Sequence, residues 1–357
     1  MMKKIIILLL ISVLTIWMFI RENSIGELNP QVGKNIIDVH VHVAGLGYGD
    51  SGCFVSDAMR NNIRFPFYLW AMGVSEDELI SEGDQLLFKK LSKRIAQSEV
   101  VKQSVILALD GFVGVDGQLD RQQTQLYVPN EYVAQQTALY DNLLFGASIN
   151  PNRKDALERL QVVKGQGALL IKWIPSIMNI DPANPAYIPF YKRMAKLNIP
   201  LLTHTGMEKS FANADDELAD PVRLKLPLEL GVTVIAAHIA TTGKNQGENN
   251  FERILPMIKQ YKNLYVDISS LTQINKLNYL SRALKDKAIR EKMIYGTDWP
   301  LQFFPIISPW YHINHISLND AYTVGGIPNQ WDRDVALKMA FQVPKEVFLR
   351  TEILLKQ

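Results

Sequence analysis

Four histidines and one aspartate stand where predicted β-strands end, and this placement suggests metal chemistry. His40 and His42 lie one residue apart in the stretch NIIDVHVHVAG. Because side chains alternate along a strand, residues i and i+2 share a face, and both imidazoles are expected to point the same way. His204, His238 and Asp298 each close a later apolar run, in LLTHTG, VIAAHIA and IYGTDWP. Imidazole and carboxylate groups are typical ligands of zinc and similar divalent ions.

The elements that position these residues are short apolar runs separated by segments of helical period. The runs cover residues 35–41, 104–110, 142–149, 168–174, 199–204, 232–238, 263–269 and 292–298. Several are apolar on both faces, which is typical of strands buried in a parallel sheet. Eight strands alternating with helices predict a (β/α)₈ TIM barrel. A doubly wound open sheet is the alternative, but the chain has no glycine-rich dinucleotide or P-loop motif to favour it.

The predicted barrel is longer than usual, and its helices carry identifiable start and stop signals. It spans about residues 33–357, above the ~250 residues typical of the fold. The excess lies mainly in residues 43–98 and 110–130, which follow strands and should therefore form long loops over the catalytic face. Pro151 and Gly165 are predicted to begin and end one helix. Pro256 falls inside another helical pattern, which is expected to start late or kink there.

The first twenty residues differ from the rest of the chain. Lys3 and Lys4 precede sixteen uncharged residues from Ile5 to Ile20, and Arg21 follows. As a helix this run would reach ~24 Å, shorter than a ~30 Å hydrocarbon core. We expect residues 1–24 to form a hydrophobic helix that acts as a signal anchor or signal peptide. An uncleaved anchor is favoured because no small-residue cleavage site follows.

Composition and charge restrict the remaining possibilities. The 357 residues are 47% hydrophobic and 21% charged, which is ordinary for a globular protein, and residues 25–357 are expected to form one domain. Without residues 1–21, 35 basic residues face 36 acidic ones, so a nucleic-acid partner is not expected. The single cysteine, Cys53, excludes an intrachain disulfide. With the lysines kept in the cytoplasm, the barrel would lie outside it, periplasmic or extracellular; secretion after cleavage is the alternative.

The motifs DVHVH, IKW, THTG, AHIA and YGTDWP resemble those of the amidohydrolase superfamily, in particular its amidohydrolase-related branch. The resemblance covers the chain from about residue 35 to its end, and it implies a metal-centred TIM barrel. It implies that His40, His42 and His204 bind metal and that His238 binds metal or polarises the substrate. It also implies that Asp298, beside the metal, takes a proton from the attacking water.

The predicted activity is metal-dependent hydrolysis of a small ester, lactone, amide or phosphoester, with one or two divalent ions, zinc being the first choice. One alternative is a metal-dependent decarboxylase of a small unsaturated or aromatic acid. It ranks second because no cation in the predicted ligand set marks a carboxylate pocket. The other alternative is a non-catalytic, membrane-tethered binding protein, which would be expected to lack one or more ligands. Asp267, Trp173 and Trp299 are candidate substrate contacts near the mouth.

Lys172, in the IKW motif, is predicted to join the metal site, and two hypotheses about it stay open. An ammonium cannot ligate a divalent ion, so the amine would react with carbon dioxide to form a carbamate that bridges two ions. Related barrels with a lysine on the fourth strand do this. Alternatively, Lys172 stays cationic beside a single ion and pairs with an acid or with a substrate carboxylate. The position of the lysine at the end of an apolar strand favours the carbamate.

Overall fold

The computed structural model describes residues 32–355, and within this range eight parallel strands form a closed barrel. We number these strands β1 to β8. They span Ile36–His42, Val101–Leu107, Leu143–Gly146, Ile171–Trp173, Leu201–Thr203, Val234–Ala236, Leu264–Asp267 and Met293–Ile294. Each coincides with a predicted apolar run or overlaps one. The predicted TIM barrel is therefore confirmed, and the open-sheet alternative is wrong.

Barrel closure depends on two short pairings between larger sheets. Strands β1, β2 and β3 form one parallel sheet, and β4 to β8 form another, both in sequential order. Ala147 pairs with Ile171 to join β3 to β4. Val41 pairs with Trp299, just beyond β8, and closes the ring against β1. Closure brings the carboxyl ends of all eight strands to one face, which is where the active sites of TIM-barrel enzymes lie.

The barrel interior is filled by a layer of aliphatic side chains below the strand ends. Because neighbouring residues on a strand face opposite sides, the other side chains of the same strands pack outward against helices. The inner layer contains Ile37, Val39, Val105, Leu107, Leu170, Leu202, Ile235, Ala237, Ile294 and Leu354. This packed layer leaves the residues above it, at the strand ends, as the floor of any pocket.

Fifteen α-helices lie within the described range, and we number them α1 to α15. They span Asp57–Arg60, Phe65–Met72, Glu76–Glu82, Gln85–Ala96, Asn130–Thr137, Ala156–Gly165, Pro175–Met178, Ile188–Lys196, Lys225–Glu229, Asn250–Gln260, Tyr279–Ala283, Lys287–Arg290, Leu318–Gly326, Gln330–Ala340 and Lys345–Leu355. Two predicted helix details are corrected. Helix α6 begins at Ala156 and not at Pro151, because Asn150 caps a turn by accepting a hydrogen bond from Asn152 N. Helix α10 starts at Asn250 and continues through Pro256.

The two long insertions, residues 43–98 and 110–130, do cover the catalytic face. The first contains helices α1 to α4 and the short strand Phe54–Val55, which pairs with Leu126–Tyr127 of the second insertion. Val55 and Leu126, from this pairing, line the pocket above the barrel. The insertions are therefore a folded cap over the strand ends.

The predicted hydrophobic helix within residues 1–24 lies outside the described residues. Within residues 32–355, no helix is both long and apolar enough to cross a membrane.

Candidate metal centre and its pocket

Strand β1 directs both of its histidines into the barrel. The pairing with β2 shifts register between Asp38 and Val41, as a β-bulge does, so that Val39 and His40 both face the interior. The Nε2 atoms of His40 and His42 lie 3.0 Å apart. The prediction that the two imidazoles point to one place is confirmed.

A carboxylate behind His40 selects which of its nitrogens faces the pocket. Asp267 Oδ2 lies 2.8 Å from His40 Nδ1, so Nδ1–H donates to the carboxylate and the Nε2 lone pair points inward. Burial, together with the charge of Lys172, lowers the pKa of His40 to about 4. The imidazole is therefore neutral at pH 7, which is the form that binds metal.

Asp298 completes a three-residue group with the two histidines of β1. Its Oδ1 atom lies 3.5 Å from His40 Nε2 and 3.4 Å from His42 Nε2. Its Oδ2 atom accepts a 2.5 Å hydrogen bond from Ser270 Oγ. Burial opposes ionisation of Asp298, but the neighbouring imidazoles of His238, His42 and His40 hold its pKa well below the usual range. The carboxylate is therefore ionised and positioned.

Lys172, on β4, reaches the same place from the opposite wall. Its Nζ atom lies 2.8 Å from His40 Nε2, and the residue is almost completely buried. Burial lowers the pKa of Lys172 to about 8, so an appreciable neutral fraction exists near physiological pH. A neutral amine is the form that can react with carbon dioxide, and an ammonium is the form that can pair with an acid.

His204 and His238 stand side by side at the ends of β5 and β6, with ring centroids 5.2 Å apart. His204 Nδ1 lies 3.4 Å from Glu208 Oε2, and its buried Nε2 has no hydrogen-bond partner among residues 32–355. Ser269 O and Ser269 Oγ lie 3.1 and 2.8 Å from His238 Nδ1. Burial lowers the pKa of both histidines.

These residues fit a divalent metal ion. His40, His42 and Asp298 each offer one ligand atom, and these atoms lie within 4.8 Å of one another. The unpartnered, buried Nε2 atom of His204 is the kind of orphaned lone pair that a bound ion would satisfy. The ligand atoms of a second group, His40, His238 and Asp267, also lie within 4.8 Å of one another. Because Asp267 already accepts several hydrogen bonds behind the rings, this second group serves as support for the ligands.

The candidate metal site opens into a mainly apolar pocket of about 160 Å³. His42, Lys172, His204, His238 and Asp298 line it. The remaining walls come mostly from aliphatic and aromatic side chains of the two insertions. The sequence-predicted ligands therefore meet at one accessible place.

The three predicted substrate contacts are corrected by the structure. Asp267 is fully buried, and its carboxylate accepts hydrogen bonds from His40, from Ser269 and from the backbone N–H of His238. Trp173 packs outward against helix α8 and donates to Ile149 O, while Trp299 stacks on Trp331. Trp173 follows the inward-facing Lys172 on β4, so alternation turns it away from the pocket.

Four residues of the site were missed by sequence reasoning. Ser269 and Ser270 directly follow the strand-ending Asp267, and that position was an available signal. Glu208 and Lys276 lie in loops beyond β5 and β7, where no local pattern marked them. His312 Nε2 lies 2.9 Å from Thr272 O, and His315 Nε2 lies 2.7 Å from Asn278 Oδ1.

Comparison with known proteins gives one family match. The sequence profile of a family described as amidohydrolase matches residues 37–312, well over half of the chain. No match was found among the curated proteins.

Several solved structures have the same fold at low sequence identity. An uncharacterised TIM-barrel protein from Bordetella bronchiseptica is 16% identical, with a TM-score of 0.53 over 90% of this chain and 99% of that one. A probable 2-pyrone-4,6-dicarboxylic acid hydrolase from Acinetobacter baumannii, with citric acid bound, is 16% identical, with a TM-score of 0.50 over 88% and 99%. A dihydroxybenzoic acid decarboxylase from Polaromonas sp. JS666, with bound manganese, is 15% identical, with a TM-score of 0.48 over 90% and 97%.

Proposed function

The chain belongs to the amidohydrolase family, and from that premise we propose that it hydrolyses a small ester, lactone, amide or phosphoester with the help of a divalent metal ion. The supporting observation is the convergence of His40, His42 and Asp298 at a pocket that His204, with its unpartnered Nε2 atom, also lines. We infer that zinc is the resident ion, because nitrogen-rich sites with one carboxylate suit it.

His40, His42 and Asp298 would hold the ion, and His204, which lines the same pocket, is a further candidate ligand. When bound, a divalent ion polarises the substrate carbonyl or phosphoryl group and makes a nearby water more acidic. Asp267 fixes the orientation of His40 and so pre-organises the site before any ion binds.

Asp298 is the proposed proton carrier. Its ionised Oδ1 faces the reacting groups while Ser270 holds Oδ2, so the carboxylate can accept a proton from the attacking water. The proton then passes to the leaving oxygen or nitrogen as its bond to the acyl or phosphoryl centre breaks. His238, held by Ser269, presents its other ring nitrogen to the pocket and is placed to orient the substrate oxygen.

The direct test is a screen of the zinc-loaded protein against ester, lactone, amide, phosphoester and carboxylic-acid libraries, with Asp298→Asn in parallel. Hydrolysis is expected in at least one of the first four classes. At zinc concentrations that saturate the site through the histidines, Asp298→Asn should lose at least about 100-fold in turnover, because an amide cannot accept the proton. Full activity in Asp298→Asn, or in protein stripped of metal, would contradict the mechanism.

A decarboxylase is the second candidate, and Lys276 is the observation that favours it. The sequence-based reason for ranking this reaction lower was the lack of a cation in the predicted ligand set. Lys276 is a buried cation on the pocket wall and could hold a substrate carboxylate. In that reaction the bond to a carboxylate breaks, carbon dioxide leaves and a proton replaces it. Release of carbon dioxide in the library screen would identify it. The non-catalytic alternative has no support, since the described site retains all the predicted ligands.

We also propose that the barrel is held at a membrane, outside the cytoplasm, by the apolar segment Ile5–Ile20. Membrane fractions should contain the full-length chain. Soluble protein whose intact mass corresponds to a chain beginning near residue 25 would support cleavage and secretion instead.

A further inference from the structure

We infer that the substrate is an amphipathic anion, whose apolar body occupies the part of the pocket built by residues 43–98 and whose anionic group pairs with Lys276. This inference rests on the proposed hydrolase function and narrows its substrate class to esters or lactones that carry one negative group.

The apolar part of the pocket, which we call the apolar arm, comes from the first insertion. Met59 lies in α1, Leu69 and Met72 in α2, Leu79 in α3 and Leu87 in α4, and all five line the pocket. These side chains offer no hydrogen-bonding group. A polar ligand group placed there would lose its water without compensation, whereas each buried methylene would be stabilised. The arm therefore selects for hydrocarbon.

Lys276 is the feature of the pocket, away from the proposed metal ligands, that points to an anion. It ends a short 3₁₀-helix in the loop after β7, is 7% exposed, and lines the pocket. Asp298 and Glu208 lie near enough to favour its charge, but its Nζ atom forms no hydrogen bond and no ion pair within 4.0 Å among residues 32–355. Because most of the side chain is buried, its ammonium is only partly hydrated, and an anionic partner would offset that loss of hydration. An anionic group on the substrate would provide that partner.

The metal ligands, the apolar arm and Lys276 together define the orientation in which a substrate binds. The metal ligands lie at one end, the apolar arm is built by the insertion, and Lys276 stands on the wall that follows β7. A molecule with its reacting carbonyl at the metal site can thus place its charge on Lys276 and its hydrocarbon in the arm. A small, doubly charged or wholly polar substrate would leave the arm unused.

Binding of alkanesulfonates to the zinc-loaded full chain tests this without turnover. Sulfonates are weak metal ligands and cannot be hydrolysed, so their affinity reports Lys276 and the arm. Butane-, hexane- and octanesulfonate should bind about three- to fourfold more tightly per added methylene, measured by calorimetry. Each sulfonate should bind at least tenfold more tightly than the alkyl methyl sulfone of the same length.

Matched variants separate the two halves of the inference. Lys276→Met should abolish the preference for sulfonate over sulfone, and Lys276→Arg should preserve it. Lys209→Met is the control, because Lys209 also lines the pocket but is exposed. In the arm, Leu69→Trp should weaken octanesulfonate more than butanesulfonate, whereas Phe67→Trp, on the exposed side of the same helix, should change neither.

Affinity that does not depend on chain length would overturn the assignment of the arm. An unchanged sulfonate preference in Lys276→Met, or an equal loss in Lys209→Met, would overturn the assignment of Lys276. If these binding effects occur while the library screen finds no hydrolysis, the proposed reaction fails and the binding inference stands. If the screen finds hydrolysis but these binding effects are absent, the proposed reaction stands and the binding inference fails.

Discussion

At the scale of single residues, Asp267 controls the site without reaching the pocket. Its Oδ2 atom fixes the tautomer of His40, and its Oδ1 atom accepts the backbone N–H of His238 at 2.8 Å. One carboxylate thus orients groups from β1 and from the loop after β6. Its interactions with His40, together with the hydrogen bond from the His238 backbone N–H, outweigh the effect of burial and lower the pKa of Asp267, so it stays ionised.

Asp267→Asn should therefore weaken zinc binding about 10- to 100-fold, although this residue is not a proposed ligand. The amide keeps the shape but no longer provides a charged acceptor for His40 Nδ1–H. Competition with a chelator measures the affinity. Asp332→Asn is the control, since Asp332 is also buried but bonds Ser98 and Glu99 away from the site. Equal affinity in both variants would argue against the orienting role.

A second prediction at this scale concerns Lys172. If it forms a bridging carbamate, Lys172→Ala should reduce the metal content from two ions to one or none. Short carboxylates in the buffer should then partly restore activity by replacing the bridge. Metal analysis and activity assays measure both effects. A structure of the loaded enzyme with one ion and a free amine at Lys172 would refute the carbamate and favour the single-metal alternative.

At the scale of elements, the loops after β5 and β6 hold each other in place. Gly206 has φ +88°, and a Cβ atom there would lie 2.6 Å from Thr242 O and 2.8 Å from Ala240 O. Both contacts are with backbone, which cannot rotate away as a side chain could. The loop that carries His204 therefore fits against the loop that carries His238 because residue 206 has no side chain.

Gly206→Ala should destabilise the protein by at least about 2 kcal/mol and weaken zinc binding, because the two loops must separate. Gly167→Ala is a matched control. Gly167 has the same φ of +88°, but a Cβ there would meet no atom within 4 Å in the described part of the chain. Gly167→Ala should lower the free energy of unfolding by only about 1 kcal/mol, which is the cost of placing alanine at this positive φ without a steric clash. Chemical denaturation of both variants would give the comparison, and equal losses would contradict the steric argument.

Periodicity predicted the elements well, because a buried strand needs an apolar run and eight runs were present. The same alternation rule correctly placed His40 and His42 on one face, and applied to Trp173 it would have turned that side chain outward. Side chains beyond a strand end were harder to place. His238 has φ +58°, so its direction depends on the turn and not on the strand. Lys276 approaches the pocket only because its loop folds back.

At the scale of the whole molecule, the buried imidazoles couple stability to pH. In metal-free protein, burial lowers the pKa of His40 from 6.5 to about 4, and burial lowers the pKa of His204 and of His238 too. The unfolded chain therefore takes up protons between these values while the folded chain does not. The stabilising contribution is complete above pH 6.5 and is lost as the pH falls toward 4.

Asp38 opposes this trend, because burial raises its pKa to about 7 and the folded chain therefore takes up a proton at a higher pH than the unfolded chain. The test is thus the difference between the metal-free protein and His40→Gln, since glutamine does not titrate. From pH 7 to pH 4.5 the stability of the protein should fall relative to that of His40→Gln, by roughly 3 kcal/mol if the full shift of His40 is expressed, as measured from urea unfolding. A difference between the two proteins that does not change with pH would show that the fold does not hold His40 neutral.

The helix that closes the barrel floor has a consequence for attachment. Leu354 of α15 packs in the same inner layer as Ile37, and Arg350 Nη1 donates to Arg290 O at 3.3 Å, beside β8. Both ends of the described chain thus lie at the face opposite the pocket. A linker, a fusion partner or an immobilising surface joined at either end would leave the mouth unobstructed.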